Sequence, residues 1–261
     1  MFATNPFAGI SAVVPPAFMQ GYVLAMAILV VAGTLYDVVH KGSARYFFDN
    51  LRRLKSQRAR PIEGGELASI ALATCLVDVL ASGEFCNLRR RIAHLLTMYG
   101  FVIYLLATAV MVFAYPTPAT PAPAILPQLW WLGGLMVCAG GYWFWFFMRV
   151  DVAAEGNSPL RIVRADLFVL SLLASVTLGL LWAFQQATGG GGAVALFALY
   201  IFATTVLFGT VPWSKFAHMF FKPAAALEKR LTYADGSRSN LPAPVDKPEA
   251  FGSARELPRH Y

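Results

Sequence analysis

The sequence predicts an all-α integral membrane protein: a five-helix transmembrane bundle with its amino terminus outside and its carboxyl tail in the cytoplasm. Three observations predict it. Of the 261 residues, 57% are hydrophobic and only 13% are charged, against roughly 25% charged in a soluble domain. Five windows of apolar residues occur, near 19–39, 93–114, 129–148, 167–187 and 193–211, each matching the ~20 residues that cross a ~30 Å hydrocarbon core. All 21 Lys and Arg fall between Lys41 and Arg91, between Arg149 and Arg164, or from Lys215 onward. With five spans these three basic stretches share one face, which the positive-inside rule assigns to the cytoplasm.

The elements follow in order. No Lys or Arg precedes the first window and no small-residue cleavage site closes it, so it reads as a retained span rather than a signal peptide. Next, "KGSARYFFDNLRRLKSQRARP" sets aromatic and leucine positions among seven basic residues, the pattern of a segment lying at the membrane interface. "ELASIALATCLVDVLASGEF", residues 66–85, is apolar but carries Asp78. As a further span it would scatter the basic clusters onto both faces, so it reads as an interfacial cytoplasmic helix between spans one and two. "YPTPATPAPAILP" is a stiff, uncharged outer loop and "ATGGGG" a short flexible one. Span five must continue to residue 218, kinked at Pro212, if His218 is to face the membrane. The organisation is then a membrane domain over 1–231 and a cytoplasmic tail over 232–261, whose Pro, Asp, Ser and Arg content predicts an extended segment able to dock a partner. No internal repeat points to a transporter built from duplicated halves.

The net charge of +7 is this cytoplasmic asymmetry, suited to acidic lipid headgroups or an acidic partner. It does not point to nucleic acid, because no basic stripe is interleaved with stacking aromatics. Cys75, Cys86 and Cys138 lack the spacing of an iron–sulfur or zinc site and read as ordinary reduced thiols. A phosphate loop and a nucleotide fingerprint are both missing from the sequence. The aromatic run "YWFWFF", 142–147, reads as an interfacial belt.

Four histidines remain: His40, His94, His218 and the tail residue His260. His94 in "RRRIAHLLTMYGF" and His218 in "VPWSKFAHMFF" fall at similar depth on the cytoplasmic side. Two neutral imidazoles on facing helices meet the axial requirement of a low-spin b-type haem. Gly100 and Gly209 leave room for a porphyrin face or for a neighbouring backbone. Arg89, Arg90, Arg91 and Lys215 are cations at the same surface, suited to haem propionates. The plainer reading, imidazoles snorkelling at helix ends, stays open beside it.

"RRRIAHLLTMYGF" followed far downstream by "VPWSKFAHMFFKP" resembles the five-helix gamma subunit of respiratory nitrate reductase and the related quinone-interacting membrane cytochrome b subunits. Within that group the chain looks most like the membrane subunit associated with adenylylsulfate (APS) reductase in sulfur-oxidising bacteria. The resemblance covers spans two to five. It implies a bacterial inner-membrane electron conduit between a cytoplasmic oxidoreductase and the quinone pool, with His94 and His218 as ligands of the cytoplasm-proximal haem and no sulfur chemistry of its own. Family members with two haems carry a second histidine pair, whereas 101–114 and 193–208 contain no histidine. One haem b is therefore expected. Asp37 and His40, one turn apart, are candidates for supplying protons to a quinone site, with Lys215, Tyr99 and Trp213 as candidate lining. The alternative class is a haem-free membrane anchor that recruits a redox enzyme through its basic surface, in which case neutralising Arg52, Arg53 and Arg58 releases the partner.

Overall fold

The computed structural model describes residues 2–40, 42–56, 58–83, 85, 87–149, 161–163, 166–211 and 218–237, with the main chain alone at 43, 44, 54 and 218–221. Among the described residues every regular element is helical: α1 (Pro6–Ile10), α2 (Pro16–His40), α3 (Ser43–Ser56), α4 (Gly64–Ala73) running into a π-helical turn (Thr74–Leu80), α5 (Leu88–Ala114), α6 (Ile125–Phe147), α7 (Leu167–Ala187), α8 (Ala193–Gly209) and α9 (His218–Ala234). The protein is all-α, and α2, α5 and α7 are each long and apolar enough to cross a membrane. On that ground it is a membrane protein.

Helix packing here follows the rule for lipid, where apolar burial between helices gains little and close van der Waals contact must hold them together. Glycines on α6 provide that contact on two sides. A Cβ at Gly133 would meet Gly100 O at 2.7 Å, and one at Gly140 would meet Ala93 O at 2.5 Å, so α5 and α6 touch backbone to backbone. Gly134 and Gly141, each one position on, receive Leu180 and Leu173 of α7 instead. The seven-residue spacing repeats each contact two turns along the helix. Beyond this core, α7 packs on α8 and α2 lies against α8. Only 11% of the apolar window of α2 is buried, against 44% for α7, so the rest of this chain leaves most of the α2 surface uncovered.

Buried polar groups pair across helices. Trp130 Nε1 donates to Thr108 Oγ1 at 2.9 Å, Ser175 Oγ and Thr204 Oγ1 lie 2.7 Å apart, and Tyr142 Oη lies 2.8 Å from Thr177 Oγ1. Such bonds leave fewer polar atoms unsatisfied in hydrocarbon. At one end α1, which the sequence did not announce, closes the bundle. Asn5 caps it by accepting from Phe7 N at 3.0 Å and donates through Nδ2 to Tyr115 O at 2.8 Å, while Phe7 sits edge-on between Trp130 and Trp182.

The opposite end is a layer of short helices joined by polar contacts. Asn50 on α3 donates to Glu228 on α9 at 2.5 Å, and Arg230 on α9 makes a two-pronged contact with Asp78 of the π turn at 2.5 and 3.0 Å. Arg58 donates to Asp235 at 2.8 Å, and the amides of Ala59 and Arg60 donate to Asp235 O. The segment expected to start an extended tail thus begins as helix: α9 runs to Ala234, and Asp235 and Ser237 are buried behind it. Residues 238–261, the rest of the expected tail, and the expected kink at Pro212 lie outside the described residues.

Candidate functional site

His94 lies on the second turn of α5, which begins earlier than the apolar window because Asn87 caps it: Asn87 Oδ1 accepts from Arg89 N at 2.9 Å and from Arg90 N at 3.4 Å. That start places the three arginines on the first turn, where cations oppose the helix dipole. Two of them reach main-chain carbonyls instead of facing the helix end. Arg90 Nη2 donates to Met148 O at 3.3 Å, and Arg91 Nε donates to Ala81 O at 2.7 Å. A guanidinium has five donors, so each retains capacity for an anion such as a propionate.

The partner of this face is the end of the π turn. Leu80, Ala81 and Ser82 are each engaged by a different side chain of α5: Tyr99 Oη donates to Leu80 O at 2.7 Å, Arg91 to Ala81 O, and Ser82 Oγ lies 3.1 Å from His94 Nδ1. Arg91 and His94 are one turn apart on the helix, and Tyr99 reaches the same loop from five residues further on. Phe85 adds a ring 4.9 Å from the imidazole. His94 is half-buried in this setting.

Sequence reasoning named Arg91, His94 and Tyr99 but missed Ser82. A turn signal was present in "ASGEF", since Ser-Gly marks a turn. What the pattern conceals is which residue takes the left-handed conformation: Ser82 has φ 49°, while Gly83 does not. Gly83 is instead needed for clearance, because a Cβ there would meet Val77 O at 2.9 Å, and its own N–H donates to that oxygen at 2.7 Å.

A b-type haem fits the donor set on one side. Metal-ligating histidines engage their second ring nitrogen with a neighbour; Ser82 is placed to do this at Nδ1, so a haem iron held by His94 would take Nε2. The α6 side is closed to a macrocycle, because the space beside Gly100 is filled by the backbone of Gly133 and Val137. Gly100 therefore serves a neighbouring backbone. Next to Gly209 nothing lies within 4 Å among the described residues. His218 opens α9, with its side chain outside the description, and Trp213 and Lys215 lie outside the described residues altogether.

The candidate proton donors at the end of α2 sit in different surroundings. Asp37 is only 4% exposed, whereas His40 is exposed and stacks on Tyr36 at 5.1 Å. Arg58, a candidate docking cation, is committed to Asp235. Asp166 pairs with Arg149, both nearly buried, and Arg149 also lies 4.0 Å over the Trp145 ring. This pair closes the link from α6 to α7 at the helix ends rather than at mid-span. Cys75 and Cys138 are free thiols, and among the described residues no cluster of three or more His, Cys, Asp or Glu is placed to hold a metal ion.

Two comparisons returned nothing: no family model matches the chain, and no solved structure matches it. Among curated proteins it is similar to citrate utilization protein B of Escherichia coli, 29% identical over 234 residues that cover 82% of this chain and 56% of that protein. The chain thus spans little more than half the length of that relative.

Proposed function

We propose that this chain is the membrane subunit of an oxidoreductase complex, passing electrons between a cytoplasmic enzyme and the quinone pool through one b-type haem held by His94 and His218. In this reading α2, α5, α6, α7 and α8 are five spans in the bacterial inner membrane, with α1 outside and α3, α4 and α9 at the cytoplasmic face. The observation that supports it is the setting of His94. His94 is held through Nδ1 by Ser82 on a half-buried face of α5, and the helix that His218 opens is joined by Arg230 to Asp78 of the π turn that ends two residues before Ser82.

When bound, the haem supplies one-electron carriage. The residues of the chain do the rest. Ser82 and Phe85 orient the His94 ring, and Arg90, Arg91 and Lys215 are cations for the propionates. Asp37 and His40 are proton donors on the side where quinone reduction takes up protons, with Tyr99 and Trp213 beside the pocket.

The identity of the soluble partner divides two ways. The membrane-subunit resemblance implies an adenylylsulfate reductase that oxidises sulfite. Similarity to a citrate utilization protein favours a partner acting on a small carboxylic acid of the citrate type. Native membranes decide between them: sulfite with AMP, or citrate-type acids, added anaerobically should reduce the chromophore of this chain, and a quinol analogue should reduce it from the other side. Loss of reduction by every donor would contradict the electron-transfer reading and leave the haem-free anchor.

A further inference from the structure

We propose that Ser82 is a positioning residue that fixes the tautomer and orientation of His94 and thereby sets the potential of the haem iron; this rests on the haem reading above. The backbone argument comes first. Ser82 is 3% exposed and sits at φ 49°, a conformation disfavoured for any residue with a Cβ, although a glycine adjoins it. The chain thus holds the strained conformation at the residue that carries a hydroxyl, and that hydroxyl is 3.1 Å from His94 Nδ1. The clamp is deliberate in its geometry: Tyr99 and Arg91 hold the two preceding carbonyls, so the Ser82 Oγ cannot drift along α5. Strained residues kept by over-determined surroundings are a mark of functional positions.

The chemistry follows from the ring. With Nε2 on iron, the ring hydrogen must be on Nδ1, where it donates to Ser82 Oγ. An acceptor at that hydrogen makes the imidazole a stronger donor to iron and favours the oxidised state. Removing the acceptor raises the potential.

Two variants separate hydroxyl from backbone. Ser82→Ala removes the hydroxyl and keeps the strained backbone, whereas Ser82→Gly removes the hydroxyl and relieves the strain. Redox titration of the purified full chain, monitored by its haem absorption, is expected to show both variants shifted upward. The expected size is about a tenfold change in the oxidised-to-reduced ratio at fixed ambient potential, equal to ~59 mV for a one-electron couple. Electron paramagnetic resonance of the ferric state should report a changed axial ligand field in both. Unchanged potentials in haem-bearing variants, or a shift in one variant only, would overturn the proposal, the latter by assigning the effect to the backbone. Should Ser82→Ala fold poorly, Ser82→Asn takes its place as the second variant, since Asn tolerates a positive φ and removes the hydroxyl, and a potential unchanged in either Ser82→Gly or Ser82→Asn would overturn the proposal. Wild-type protein without haem would instead sink the functional reading, and this proposal with it.

Discussion

Asp78 interrupts the apolar run of 66–85, and the structure gives this acid a partner. Arg230 clamps its carboxylate from α9, and hydrogen bonding to that guanidinium holds Asp78 below its ordinary value of 3.8. Asp235 behaves alike. Burial pushes it up, but the hydrogen bonds from Ser237 and from Arg58 outweigh burial and leave it lowered. Both carboxyls are depressed relative to the unfolded chain, where Asp titrates near ~3.9. Their contribution is therefore complete above that value and is lost as pH falls through the lowered ones. Exchange of the α9 amides, taken relative to the intrinsic rate at each pH, should stay constant from about pH 8 to about pH 5 and rise only below about pH 4. A rise between about pH 7 and pH 5 would mean that histidines, not these carboxylates, hold the layer. Asp78 itself was legible in the sequence, but its partner 152 positions away was not. A lone acid announces that it needs a cation without saying which of the basic residues will arrive.

At the scale of elements, α7 was the most legible. Its observed bounds, Leu167–Ala187, match the apolar window because Asp166 and Thr188 bracket a continuous hydrophobic run. Less legible was α5, whose cap lies in the polar stretch ahead of the window, so its start was placed too late. Hydropathy sees which residues prefer lipid but not which side chain caps a helix. The π turn had no signal at all, since one extra residue per turn leaves composition unchanged, and α1 is held by Asn5 and Gln186 contacts that only the tertiary structure brings together. The glycines give this scale its prediction. Gly140→Ala adds a Cβ 2.5 Å from Ala93 O, beside His94, and must spread α5 from α6. Overpacking of that kind costs roughly 1–3 kcal/mol. Gly21→Ala in α2, with nothing within 4 Å, should be neutral or slightly stabilising. Thermal denaturation of the two variants in detergent checks the contrast, and equal effects would mean the α5–α6 contact is not as close as described.

Taken whole, the molecule is a lipid-facing bundle beneath a polar layer that is partly neutralised from within. Of the basic residues that produce the net charge of +7, Arg58, Arg60, Arg149 and Arg230 are committed to acids of the chain itself. Among the described residues, α3 presents Arg45 and Arg52, 90% and 82% exposed and each paired with Asp49 at the surface. In the proposed reading this layer positions the His94 side of α5 against α9, and so joins the basic face to the redox site. The most direct test is a dithionite-reduced minus oxidised visible spectrum of the protein purified from haem-replete native membranes, with haem quantified as its pyridine complex. The account predicts one b-type haem per chain, lost in His94→Ala and in His218→Ala. A wild-type chain without haem, or one that keeps its full haem content in either variant, would contradict it.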